Sequence, residues 1–277
     1  MRRNLKILST VFMLFFLISV SYEALGKSPP LLEMEPVDAP DKIPYNAAGL
    51  IVGTRDFASA VSIGNPRLIL TIAPASHDKF LDDYQWHSET LKQSNTQPVP
   101  LRRIWIFTGQ KGYASYWHKR TTKLRPGLAL LEAYEDLTPE EQVAKRATDP
   151  YDELALKSTP KLFVGYPQPD PTYPKAQSIS PFSRSMSVGS LDGMSLSLLT
   201  NYRNQPFMTL NIAGAPNTPD RFSGCEGGPL LMQDKTGTWV AAGVFSTEIQ
   251  AIQANESTLV FRILDEATYE SLIKPAL

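Results

Sequence analysis

Ser223-Gly-Cys-Glu-Gly-Gly-Pro-Leu-Leu231, followed by Trp239-Val-Ala-Ala-Gly-Val-Phe-Ser246, is the stretch on which the reading of this chain turns. Three glycines in five residues let a backbone fold tightly where side chains would collide. Such a loop can also bring several backbone N–H groups onto one point, the arrangement that stabilises a developing oxyanion. The proline then breaks the loop. Two apolar runs follow, each of strand length.

Outward from this stretch the chain continues to read as β. Leu50-Ile-Val, Ser59-Ala-Val-Ser-Ile, Leu68-Ile-Leu-Thr, Arg103-Ile-Trp-Ile-Phe, Lys161-Leu-Phe-Val-Gly and Leu259-Val-Phe-Arg-Ile are short runs rich in β-branched and aromatic residues. Gly, Asn and Pro punctuate them. This spacing predicts an antiparallel sandwich or barrel rather than a parallel sheet with crossover helices. Thr138-Pro-Glu-Glu141 carries a capping hydroxyl, a first-turn proline and acids at a helix start, so a helical connector is expected there. Asp265 to Ile273 is apolar at helical spacing and predicts a terminal helix.

The first residues predict export. Arg2, Arg3 and Lys6 precede an apolar run from Ile7 to Val20, and Ala24-Leu-Gly26 supplies small residues for cleavage. The run is shorter than the roughly 18–20 residues that span a bilayer. Cleavage near Gly26 is expected to leave a mature protein without a membrane segment. Residues 27–49, with Pro29, Pro30, Pro36, Pro40 and Pro44, read as an extended lead-in. Formal net charge is −1 and no basic face stands out, which argues against nucleic acid as partner. Cys225 is the single cysteine, so there is no internal disulfide framework. No cofactor or metal motif is expected.

The loop resembles the nucleophile loop of trypsin-like serine proteases, Gly-Asp-Ser-Gly-Gly-Pro-Leu, and the strand after it resembles one ending in Gly-Ile-x-Ser. Asn65-Pro-Arg-Leu-Ile-Leu-Thr-Ile-Ala-Pro74 resembles the strand that leads to the catalytic His. Pro126-Gly-Leu-Ala-Leu-Leu131 resembles the Asp-Ile-Ala-Leu-Leu strand, and Leu162-Phe-Val-Gly-Tyr-Pro167 an opening strand of the second barrel in bacterial members. The loop, the Asn65–Pro74 strand and the Pro126–Leu131 strand keep the family's order, and the resemblance spans about residues 50–275. It implies an all-β fold of two six-stranded antiparallel barrels with a cleft between them, a short connecting helix and a C-terminal helix. The expected division is 1–26 signal peptide, 27–49 lead-in, 50–136 first barrel, 137–160 helical connector, and 161–277 second barrel and terminal helix.

Position by position, the resemblance places Pro74 where the family has its general base, Gly127 where it has the orienting carboxylate, and Glu226 where it has the nucleophile. A triad needs a base to take the hydroxyl proton and an acid to orient that base. All three are replaced, so the resemblance implies a protease homologue without the family's catalytic route. Gly224 holds the oxyanion-donor position and Cys225 the position before the nucleophile, where a side chain points beneath the loop. Asp220 corresponds to the pocket floor, Ser246 to the pocket wall, and Glu248 stands where the family uses glycine. Glu226 itself is expected to be an exposed carboxylate. His77, three residues beyond Pro74, is the candidate for a displaced base, while His87 and His118 read as surface-loop or barrel residues. Three functions follow: a protein-binding pseudoprotease, a hydrolase rebuilt around Cys225, His77 or Glu226, or a structural subunit of an envelope or secreted complex that uses Cys225 in an intermolecular disulfide.

Overall fold

Successive residues of a strand face opposite sides, so a strand buried on both faces must be apolar throughout. The runs around Leu50, Leu68 and Leu128 have that character. The structure, a computed structural model, describes residues 29–53, 57–72, 84–93, 97–107, 114–116, 128–137, 143–168, 184–200, 206–214, 221–251 and 256–277. The side chains of residues 90, 93, 102–107, 114–116, 250, 251 and 271 fall outside the description.

In chain order the strands are β1 (Glu35–Pro36), β2 (Ala48–Val52), β3 (Phe57–Ser62), β4 (Leu68–Ile72), β5 (Gln85–His87), β6 (Val99–Phe107), β7 (Ala114–Tyr116) and β8 (Leu128–Ala133). They continue as β9 (Lys145–Arg146), β10 (Lys161–Gly165), β11 (Ser187–Ser190), β12 (Ser197–Thr200), β13 (Pro206–Ala213), β14 (Pro229–Gln233), β15 (Trp239–Ala251) and β16 (Glu256–Ile263). Strands β5-β2-β3-β4-β8-β6 form an antiparallel sheet that closes on itself where β6 pairs back to β5, Trp86 opposite Val99. β7 extends it from β6. The second sheet runs β1-β11-β10-β14-β15-β16-β13-β12, with β9 added in parallel to β15.

Alternation along the first barrel's strands sorts side chains between two cores. Ile51, Ala60, Ile69, Ala129 and Leu131 pack with Trp86 in one cluster. Their neighbours Leu50, Val61, Leu68, Leu70, Leu128 and Leu130 pack in another, together with Val164, Leu231, Val244 and Ile273 from the second half of the chain. The latter cluster is the seam that joins the two sheets. The second sheet has its own core around Phe163, Phe222, Phe245 and Phe261, with ring centroids 4.8 Å apart for Phe163–Phe245 and 5.5 Å for Phe163–Phe261. Offset and edge contacts at such distances add to the burial of the rings themselves.

The lead-in is extended only through β1; it then turns, ends in a 3-10 helix over Tyr45–Ala47, and β2 begins at Ala48. The lead-in buries Leu32 in the second core and adds Glu35–Pro36 as an edge strand on β11. In the connector, Thr138–Glu141 lies outside the described residues. The described helix is Tyr151–Leu154, after the two-residue strand β9. The terminal segment is one α-turn, Glu266–Thr268, capped by Asp265, whose carboxylate accepts the Thr268 N–H at 2.9 Å. It then widens to a π-turn over Tyr269–Ile273, which seats Leu272 and Ile273 in the seam.

Candidate functional site

The loop quoted at the outset leaves the second sheet and presses into the first. Gly227 has φ +85°, and a Cβ there would lie 2.1 Å from Thr71 Oγ1 and 2.2 Å from the Ser59 carbonyl. Gly224 has φ +90°, and its Cβ would meet Arg184 Nη1 at 2.5 Å and the Tyr166 carbonyl at 2.7 Å. Both positions therefore require glycine for conformation and for space. Hydrogen bonds fix the remainder. Cys225 N–H donates to the Phe222 carbonyl, Gly228 N–H to that of Cys225, and Gly227 N–H to that of Phe245, at 2.8–2.9 Å.

Ser59, on β3, is the pin between the two halves. Its hydroxyl donates to the Gly224 carbonyl at 2.7 Å and accepts the Tyr166 N–H at 2.9 Å, while Thr71 Oγ1 donates to the Ser59 carbonyl at 2.7 Å. Ser59 and Thr71 are each about 1% exposed. A buried hydroxyl that satisfies both a carbonyl and an N–H is costly to remove.

Glu226 is not the exposed carboxylate expected from sequence. It is half-buried, and its Oε2 accepts the Gly224 N–H at 2.7 Å. The side chain of residue 226 thus places its own carboxylate on the Gly224 N–H. Loop closure accounts for this: the turn between the two left-handed glycines brings side chain 226 back over backbone 224, and an N–H facing a carboxylate makes a strong charge-assisted bond. Cys225 points beneath the loop with no exposed surface, packed against Gly165, where a Cβ would lie 2.8 Å from its sulfur.

Beside the loop, Arg184 is 7% exposed and its guanidinium lies 3.5 Å from the centre of the Phe57 ring. Burial pulls its pKa down to about 10, against the opposing pull of Cys225 and Glu226. Lys92 Nζ donates to the Arg184 carbonyl at 2.8 Å and pairs with Glu89 at 2.8 Å. It sits 5.8 Å from the centre of the Tyr166 ring, whose hydroxyl burial raises well above the usual tyrosine range.

The other sequence candidates divide as follows. Pro74, Gly127, Asp220, His77 and His118 lie outside the described residues. Ile72, two residues before Pro74, pairs with Leu128, the residue after Gly127, and Gly227 packs against Ile72 N. Ile72, Leu128 and Gly227, which flank Pro74, Gly127 and Glu226, are therefore neighbours. Ser246 is buried at the irregularity of β15 between Phe245 and Thr247, and Glu248 is half-buried two residues on, opposite Leu259. His87 is buried on β5 opposite Leu50, and burial, then the charge of Lys92, lowers its pKa to about 4. Among the described residues no group of His, Cys, Asp and Glu has the arrangement of a metal site, and no helix is long and apolar enough to cross a membrane.

Sequence reading missed Ser59, Thr71, Tyr166 and Arg184. A hydroxyl inside an apolar strand was the available signal for Ser59. Arg184 offers none, because its burial comes from partners distant in the chain.

No family model matches this chain, and no curated protein does. Solved structures do. A Glu endopeptidase in complex with MPD aligns over 90% of this chain and 97% of its own, at 14% identity and a TM-score of 0.53. Neuropsin, a serine protease expressed in the limbic system of mouse brain, aligns over 88% and 98%, at 13% identity and a TM-score of 0.54. At such identities the likeness speaks for the fold alone: this chain has the fold of the trypsin-like serine proteases, a closed six-stranded barrel joined to a second sheet.

Proposed function

We propose that this chain is a non-catalytic counterpart of the trypsin-like proteases, exported, and working as a protein-binding module through the cleft between its two halves. The observation that carries the proposal is Glu226, which stands where the nucleophile would be and accepts the N–H of Gly224 at 2.7 Å. A substrate carbonyl needs that N–H free and a nucleophile beneath it. Neither condition holds at this loop. Pro74 and Gly127, at the positions that align with the base and its orienting acid, carry no group able to take or steer a proton.

The competing chemistry is weak on its own terms. A thiol acts as a nucleophile when it is ionised and reachable, and Cys225 has no exposed surface. The same burial keeps it from a partner's cysteine unless the loop opens.

The mature protein, incubated with a panel of fluorogenic peptides, a fluorophosphonate and iodoacetamide, should show no turnover and no site-specific labelling. Turnover together with labelling at Cys225 would replace this reading with a rebuilt hydrolase. A pull-down from the native source should return an intact protein partner, and fragments cut at defined residues would count against binding. Cell fractionation tests export.

A further inference from the structure

Arg184 is a buried charge that Glu226 and Cys225 favour electrostatically without a direct ion pair among the described residues. It is 7% exposed. Its Nη1 reaches the Tyr166 carbonyl at a long 3.5 Å, and its Nε is buried with no hydrogen-bond partner. The Phe57 ring covers one face at 3.5 Å. A guanidinium taken out of water is ordinarily matched by a carboxylate or phosphate, because desolvation otherwise goes unrecovered. An arginine serving only as packing could lose its charge and keep its contacts. A buried guanidinium with an unpaired Nε and one long bond keeps capacity for a further acceptor.

Gly224 says where that acceptor would sit. Arg184 Nη1 lies so close to Gly224 that a single methyl there would collide with it at 2.5 Å. The N–H of Gly224 already holds a carboxylate, that of Glu226, at 2.7 Å. A backbone donor and a guanidinium are thus side by side, one holding an internal carboxylate and the other only the long bond to the Tyr166 carbonyl. Planar two-oxygen acceptors suit this pair, since a guanidinium fork and a neighbouring N–H match their geometry.

We propose that Arg184 and the Gly224 N–H form a carboxylate-receiving niche, in which a carboxylate of a bound peptide, either its C-terminus or an Asp or Glu side chain, displaces Glu226 and pairs with Arg184. This rests on the binding reading above and names the ligand chemistry it would use. Glu226 is then the resident competitor. It keeps the loop in its receiving shape and weakens every incoming carboxylate.

The test titrates the mature chain with N-acetylalanine, N-acetylalaninamide and N-acetylglutamic acid α-amide, following the Gly224 amide by NMR and affinity by calorimetry. In Glu226→Ala, both acids should bind at least about tenfold more tightly than in the parent, since the resident carboxylate is gone. The neutral amide should not bind in either protein. Adding Arg184→Gln to Glu226→Ala should reverse the gain by about tenfold or more. If that variant does not fold, Arg184→Lys, which keeps the charge and loses the fork, should reverse part of it. The stronger of the two acids identifies the source as C-terminus or side chain. Equal binding of acid and amide, no gain in Glu226→Ala, or an affinity indifferent to Arg184 would each overturn the niche. So would inorganic phosphate binding more tightly than either acid. Peptide turnover would sink the non-catalytic reading and leave this titration standing, whereas absent carboxylate binding would do the reverse.

Discussion

Glu226 Oε2 lies 2.7 Å from the backbone nitrogen of Gly224, two residues earlier in the same loop. Here the protein supplies the acceptor itself. The loop is thereby braced from within, with Cys225 packed beneath it against Gly165. Side chain 226 has become a brace.

Removing that brace should be felt. Glu226→Ala deletes a charge-assisted bond at a half-buried site and is expected to lower stability by about 1–2 kcal/mol in urea denaturation. Exchange of the Gly224 amide with deuterium should accelerate in step. Glu226→Ser restores a hydroxyl but no base, so it should show no turnover above background with the fluorogenic panel. Unchanged exchange at Gly224 would mean that the contact is dispensable.

Ser59→Ala probes the pin between the halves. It leaves the Gly224 carbonyl and the Tyr166 N–H without the hydroxyl that joins them at 2.7 and 2.9 Å. Two buried groups losing one partner should cost about 2–3 kcal/mol. A loss below 0.5 kcal/mol, roughly the level of an ordinary surface change, would show that both groups find other partners.

Much of this was open to a sequence reader. The strands around Leu50, Leu68 and Leu128 announce themselves because strands buried on both faces are apolar throughout, and the strand around Leu259 by its alternation. The glycine loop was equally legible, since positive φ and backbone approach leave glycine as the natural choice. The use of Glu226 was not. Whether a carboxylate turns outward to water or inward to an N–H depends on side-chain torsions that residue identity leaves open. Arg184 was hidden for a different reason. Phe57, Tyr166 and Gly224, which surround it, come from three separate stretches of chain, and no local pattern marks their meeting.

Gly227→Ala separates backbone conformation from space. The left-handed φ alone costs about 1–2 kcal/mol for an L-residue. At Gly227 the new methyl would also meet Thr71 Oγ1 at 2.1 Å and the Ser59 carbonyl at 2.2 Å. We expect a loss of about 3 kcal/mol or more, or no folded protein at all. Gly237→Ala is the matched control, with φ +78° and no heavy atom within 4 Å of the added carbon. It should cost only the conformational part. Similar losses at the two sites would mean that the loop is not wedged against the first barrel.

His87 gives the fold an acid limb that can be assigned to one residue. Burial, and secondarily Lys92, lowers its pKa from 6.5 to about 4. Between these two values the unfolded chain binds more protons than the folded one, so stability rises with pH through that window and levels off above about 6.5. The full shift would correspond to more than 3 kcal/mol, and partial solvation of the site reduces the expected effect to about 1–3 kcal/mol. His87→Gln keeps a polar side chain that does not titrate. Urea midpoints measured from pH 4 to pH 7.5 for parent and variant should give a difference curve that climbs through the window and is flat above it. Carboxylates and the other two histidines cancel in that difference, because both proteins carry them. A flat difference curve would show that His87 is protonated as readily folded as unfolded, and that its place opposite Leu50 on β5 is wetter than the packing implies.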